Sequence, residues 1–176
     1  MKPLALITGV GPGTGASVAR RFAAAGYRTA LLARNEKRLN ALASELPDSK
    51  AIVCDVTDSE ALARAVEAAG PVDVVVHNAV GGGWGTFSEI EPEMLENNFQ
   101  VNVMALLHLA RLTTPSMVQA GKGALIVTGN TSALRGRAPF AGFAPTKAAQ
   151  RILAESMARE LGPKGVHVAY LVIDAV

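Results

Sequence analysis

The residues with the plainest chemical meaning form one run, Thr8-Gly9-Val10-Gly11-Pro12-Gly13-Thr14-Gly15. A short apolar stretch, Leu4 to Ile7, leads into it, and an amphipathic stretch, Ala16 to Ala25, leads out. Glycines at Gly9, Gly11, Gly13 and Gly15 permit a tight turn and let the backbone approach a pyrophosphate. A helix starting there aims its free N–H groups and positive dipole end at the anion. Strand, glycine loop and helix together imply a dinucleotide cradle, where a glycine loop alone would serve equally as a turn.

Other familiar chemistries are missing from the sequence. His77, His108, His167 and Cys54 are scattered, without metal-ligand spacing. No Gly-x-Ser-x-Gly elbow argues for a hydrolase. Gly81-Gly82-Gly83-Trp84-Gly85 suits either a ligand-covering loop or a loop that Trp84 pins to the core.

The elements that must position these residues alternate. The pattern predicts strands at Leu4–Thr8, Arg28–Ala33, Ala51–Asp55, Val72–His77, Ala124–Thr128 and Val166–Ile173. Between them it predicts helices over Gly13–Ala25, Glu36–Leu46, a segment ending at Ala69, about Glu93–Leu112, and about Gly142–Leu161. Gly26 is a natural helix stop, Pro115 restarts or extends the fourth helix, and Gly162-Pro163 ends the last. Thr57-Asp58-Ser59-Glu60 has the form of a capping box. The run Val74-Val75-Val76 suits a parallel strand covered on both faces. Helical crossovers of this length imply a parallel sheet in a single domain over residues 1–176, with no linker or repeat.

Composition agrees. Apolar residues make up 49% of 176, and the formal net charge is +2 with the basic residues dispersed. This argues against nucleic acid or a membrane surface as partner. The lone Cys54 fits a reducing, cytoplasmic setting, and no segment is long and apolar enough to span a bilayer.

The order of signals resembles the short-chain dehydrogenases/reductases along essentially the whole chain. Thr-Gly-x-x-x-Gly-x-Gly at 8–15 looks like that family's cofactor loop. Asp55 ends the third strand, and His77-Asn78-Ala79-Val80 ends the fourth, where the family has Asn-Asn-Ala-Gly. Asn102 lies in the long helix, Asn130-Thr131-Ser132 follows the fifth strand, and Lys147 closes a Phe143-x-x-x-Lys147 motif. The resemblance implies an α/β fold of Rossmann type: one doubly wound parallel sheet, order 3-2-1-4-5-6, with helices on both faces. It also implies a seventh strand and substrate-loop helices that this chain does not contain, so the chain is expected to be truncated or an incomplete record.

For cofactor binding the resemblance implicates Thr8, Gly9, Gly11, Gly13, Thr14 and Gly15 at the phosphates. It places Asp55 and Val56 at the adenine, Asn78 and Ala79 at a ribose, and Lys147 at the nicotinamide ribose. Asp55 suits a turn cap equally, and Asn78 a turn. The second strand ends in Ala33-Arg34 rather than in a carboxylate. An arginine fork suits a 2′-phosphate, which favours NADP(H) over NAD(H). Arg34 could otherwise be a solvated helix-entry residue, with Arg38 one turn on.

The catalytic residues implied are Asn102, Ser132, Phe143 and Lys147. The family has tyrosine, its general acid, where Phe143 stands, and phenylalanine has no proton to give. Counting thirteen residues back from Phe143, the family's serine spacing, reaches Asn130, so Ser132 is displaced by two. Asn102 resembles the helix asparagine that holds a water in the family's proton relay, and suits equally a polar residue that kinks the helix. Asp174, His77 or a water polarised by Lys147 could substitute for the missing phenol, although Asp174 suits better a solvated strand end and His77 a structural role, while Tyr27 and Tyr170 lie away from the motif. Two functions follow. One is an NADP(H)-dependent oxidoreductase interconverting an alcohol and a carbonyl on a small-molecule substrate. The other is a catalytically impaired NADP(H)-binding protein acting as sensor or partner subunit. By resemblance, a homodimer or homotetramer would pair through faces such as Met104, Leu107, Leu112, Ile152, Leu153 and Met157, which suit packing on the sheet as well.

Overall fold

The computed structural model describes residues 2–174; Met1, Ala175 and Val176 of the expected domain lie outside the described residues. Six parallel strands form one sheet in the order β3-β2-β1-β4-β5-β6. They are β1 (Leu4–Thr8), β2 (Arg28–Ala33), β3 (Ser49–Val53), β4 (Val74–His77), β5 (Gly123–Gly129) and β6 (Val166–Val172). The helices are α1 (Thr14–Ala24), α2 (Glu36–Glu45), α3 (Ser59–Ala69), α4 (Pro92–Phe99), α5 (Ala105–Ala120) and α6 (Ala144–Leu161).

Every residue of β1 and β4 is buried, as their unbroken apolar runs require. Two cores result. Ala16, Ala19, Leu39 and Leu42 from α1 and α2 pack on one sheet face. Leu62, Leu106, Leu109, Ala154 and Leu161 from α3, α5 and α6 pack on the other. Successive strands step outward from β1 to β3, then α3 carries the chain back across to β4. The strand order therefore reverses between β1 and β4, and a crevice opens at their carboxyl ends.

Three local expectations need correction, and a fourth is resolved. β3 ends at Val53, so Asp55 lies in the following turn, where its carboxylate accepts from the Thr57 N–H and hydroxyl. Asp58, not Thr57, caps α3, accepting from the N–H groups of Glu60 and Ala61. The backbone turns helical at Ser59, so Asp58 occupies the capping position, while Thr57 donates its hydroxyl to Asp55. Of the two forms expected at Pro115, extension holds and a restart does not, since α5 runs through it to Ala120. Pro115 lies on the exposed side, and the carbonyl it leaves unpaired belongs to exposed Arg111. Gly162-Pro163 opens a 3₁₀ turn, Gly162–Lys164, and the left-handed residue that releases the chain is Gly165, at φ 84°.

α4 and α5 are one continuous rod joined by a π turn over Gln100–Met104, where the Ala105 N–H reaches back to the Gln100 carbonyl. Asn102 sits in this wide turn.

Candidate functional site

A cleft of about 1280 Å³ opens along the carboxyl edge of the sheet. Its floor is the glycine loop. Gly9 adopts φ +66°, and a side chain there would overlap the backbone of Ala79. A side chain on Gly15 would collide with the Gly9 carbonyl. These two glycines bring β1, α1 and the β4 end together. Gly11 and Gly13 differ: a Cβ at either meets no protein atom, so their missing side chains leave room on the cleft side.

Helix α1 begins at this floor with Gly13 as N-cap, without a side-chain cap and without an acidic residue in its first turn. By contrast, α2 and α3 are capped by Asn35 and Asp58. The positive end of α1 thus faces the cleft uncompensated, which suits an anion. The residues present fit a dinucleotide pyrophosphate here.

At one end of the cleft Arg34, with its side chain 81% exposed, stands 4.0 Å from the Asp55 carboxylate. Arg38 and Val56 line the same end. The bonds from Thr57 hold the Asp55 carboxyl below its usual range, with Arg34 contributing. Asn78 and Ala79 also line the cleft. The Asn78 amide donates to the Gly9 carbonyl (2.8 Å) and accepts from the Thr128 hydroxyl (3.1 Å), so this side chain ties three loops together. Thr8 is buried beneath them, its hydroxyl accepting from the N–H groups of Asn78 and Ala79. It shapes the cleft without lining it.

At the other end stand Phe143 and Lys147. Lys147 is 3% exposed, and its ammonium donates to the Thr128 carbonyl (3.1 Å) and the Gln150 side-chain oxygen (2.8 Å). Burial lowers its pKa from 10.5 to about 8. The ammonium also faces the Phe143 ring, 5.8 Å from its centroid. Asn102 is fully buried behind them. Its amide donates to the Gly81 carbonyl and the Thr146 hydroxyl, each at 2.8 Å, and accepts from the Gly81 N–H.

Ser132 is not brought to the cleft with Phe143 and Lys147. It lines an adjoining cavity of about 390 Å³ together with Arg135, Arg137 and Phe140. The substitute proton donors fare differently. Asp174 accepts from the Asn130 amide and from the Thr131 N–H and hydroxyl, and the two Thr131 bonds lower its pKa. That is the reverse of what an acid near neutrality needs. His77 is wholly buried, bonded to the Thr8 hydroxyl and the Val101 carbonyl, and burial lowers its pKa to about 4. Tyr170 lies closer to the motif than its strand position suggests. Its hydroxyl donates to the Lys147 main-chain carbonyl at 3.3 Å, beneath α6. Its ring occupies the space a side chain on Gly129 would need.

Trp84 is 69% exposed, so it does not pin its loop to the core. Its ring meets Phe140 edge-on at 4.5 Å, and the Gly85 N–H donates to the Pro139 carbonyl. Among the described residues no His, Cys, Asp and Glu cluster suits a metal, and no helix is long and apolar enough to cross a membrane.

Sequence reasoning missed Gln150, Thr146 and Thr128, which hold Lys147 and Asn102. Gln150 did leave a signal: it is a polar residue three positions after Lys147, on the helix face that continues into Ala154, Met157 and Leu161.

Comparison with known proteins agrees with this geometry. The sequence profile described as short chain dehydrogenase matches residues 3–175. D-erythrulose reductase from Gallus gallus is 34% identical over 165 residues, covering 93% of this chain and 67% of its own length. The crystal structure of a short-chain dehydrogenase from Streptomyces avermitilis superposes with a TM-score of 0.95 at 30% identity, over 99% of this chain and 66% of that one. A metagenomic short-chain oxidoreductase in complex with NADP superposes with a TM-score of 0.91 at 29% identity, over 99% of this chain and 83% of that one. The chain thus spans about two thirds of the length of the first two. With its profile match, its strand order and its glycine cradle in agreement, this chain belongs to the short-chain dehydrogenase family of oxidoreductases.

Proposed function

We propose that this chain is the nucleotide-binding and catalytic part of an NADP(H)-dependent oxidoreductase that interconverts an alcohol and a carbonyl on a small substrate. The observation that carries the reading is the pairing of an uncapped α1 terminus with an exposed Arg34 at the far end of one cleft. The first offers N–H groups to a pyrophosphate. The second offers a guanidinium fork to a 2′-phosphate, with no carboxylate at the end of β2 to repel it.

The nicotinamide group supplies hydride when bound. Gly9, Gly11, Gly13, Thr14 and Gly15 would cradle its phosphates, Asp55, Val56, Asn78 and Ala79 its adenosine, and Lys147 its second ribose. Asn102 braces the wall from which Lys147 projects, and Ser132 stands in the adjoining cavity where a carbonyl would enter. A C2 dimer or a tetramer is part of the proposal. Leu112 and Ile152 remain exposed on α5 and α6, whereas Met157 is in the core. A cytoplasmic location is likewise proposed, from the free, buried Cys54.

A second reading, a nucleotide-binding sensor or partner subunit without hydride chemistry, is favoured by Phe143 alone. It stands against Lys147 and has no hydroxyl. Calorimetric titration with NADPH and NADH tests the shared premise. NADPH binding tighter by about tenfold or more supports the Arg34 assignment; no binding of either nucleotide sinks both readings. Turnover of NADPH against small ketones and ketoses, D-erythrulose among them, then separates them.

A further inference from the structure

Gln150 lies one turn beyond Lys147 on α6 and is fully buried. A buried amide is costly unless both of its ends are paired. Here both are. Its oxygen accepts from the Lys147 ammonium at 2.8 Å, and its nitrogen donates to the Asn102 main-chain carbonyl at 2.6 Å. The orientation has no alternative, because an ammonium can only donate and a carbonyl can only accept. The anchor is firm. Asn102 is itself bonded at Gly81 and Thr146, and the π turn displays its carbonyl toward α6.

Lys147 has three N–H donors. Gln150 takes one and the Thr128 carbonyl takes a second, which leaves one for the cleft. A lysine side chain has four rotatable bonds, so this fixed direction needs a fixed acceptor. We propose that Gln150 is the positioning residue of the site: braced on the Asn102 carbonyl, its amide holds the Lys147 ammonium at the cleft wall with one N–H free for a ligand oxygen.

A consequence is that Gln150 favours the charged form of an amine that burial otherwise disfavours. Two titratable groups face this region from the sheet. His77 on β4 is kept neutral by burial, and Tyr170 on β6 is kept protonated by burial. Burial is the sole source of the Lys147 shift, so among the described residues no carboxylate competes with the amide.

The test reads the amine directly, by carbon NMR of lysine-labelled protein titrated without nucleotide, with Lys147→Met to assign the signal. Gln150→Met keeps the length and removes both polar ends. Gln150→Glu keeps an acceptor toward Lys147. The expected result is a Lys147 midpoint lower by about one pH unit or more in Gln150→Met and higher by a similar amount in Gln150→Glu. A folded Gln150→Met protein with an unchanged midpoint overturns the proposal. Should that variant not fold, an unchanged midpoint in Gln150→Glu overturns it instead. The assignment of a ligand oxygen rests on the nucleotide reading, so NADPH affinity is measured alongside at pH 8. About tenfold weakening in Gln150→Met supports it. Failure of the wild-type protein to bind NADPH removes the nucleotide reading, while the midpoints still decide the role of Gln150.

Discussion

The Lys147 ammonium faces the ring of Phe143 at 5.8 Å from its centroid, one helical turn away. The cation is therefore directed at the position where a proton donor would be useful, and the neighbour there is a hydrocarbon. Cation–π attraction holds the pair together, but it transfers nothing. The surroundings of the pair are well built: Thr128, Gln150 and Asn102 are all engaged in hydrogen bonds.

Because those surroundings are in place, Phe143→Tyr is expected to raise NADPH-dependent carbonyl reduction by on the order of 10²–10⁴, the usual contribution of a general acid. Steady-state assays over the panel of ketones and ketoses check this. Unchanged turnover with intact NADPH binding would mean that Ser132, set apart in the neighbouring cavity, leaves the carbonyl without orientation.

Arg34→Ala is expected to weaken NADPH by roughly 10- to 100-fold and NADH by less than about threefold, since only the former carries a 2′-phosphate. Parallel calorimetric titrations give the ratio. Equal losses for both nucleotides would place Arg34 outside phosphate recognition. The 4.0 Å approach of Arg34 to Asp55 makes Asp55→Asn the natural companion, expected to free the guanidinium and change NADPH affinity by less than Arg34→Ala.

The loop glycines separate fold from binding. Gly9→Ala meets both a positive φ of +66° and the Ala79 backbone, and should destabilise the protein by roughly 1–3 kcal/mol or more. Gly11→Ala meets no protein atom and should stay within about 1 kcal/mol of the parent, yet lose NADPH affinity. Urea unfolding and calorimetry on the two variants distinguish these effects.

Acid should destabilise the protein through His77. The folded-state pKa lies at about 4, below the ordinary 6.5, because the buried ring resists charging. Between these values the unfolded chain binds the proton and the folded one does not, so stability falls as pH drops through the window. The whole effect is roughly 3 kcal/mol. Urea midpoints from pH 7 down to about 5, before most carboxylates titrate, should decline in the wild type and flatten in His77→Gln. A wild-type midpoint that does not move over that range would contradict the buried neutral ring.

What the sequence determined by itself is local and periodic. Apolar runs and 3.6-residue spacing marked the six strands and the α-helices, with α4 and α5 read as one stretch, and the glycines at 9–15 marked the cleft floor. The order of the polar motifs marked which strand ends would meet. Boundaries were less legible where two neighbours compete for one role, as Thr57 and Asp58 do at the start of α3. Either residue type can cap, and only the point at which the backbone turns helical, Ser59, decides between them.

The tertiary structure alone decided how the polar side chains are used. Gln150 reaches the Asn102 carbonyl across 48 residues, Asp174 clips Thr131 across 43, and Asn78 joins β1 to β5. Ser132, which suits either a carbonyl or its own turn, lines a cavity beside α6. The reason is physical. Periodicity records which face of an element is buried, whereas a buried polar atom must find a partner of opposite hydrogen-bonding sense. Which partner lies within 3 Å depends on how the elements pack and on the π turn that exposes a carbonyl.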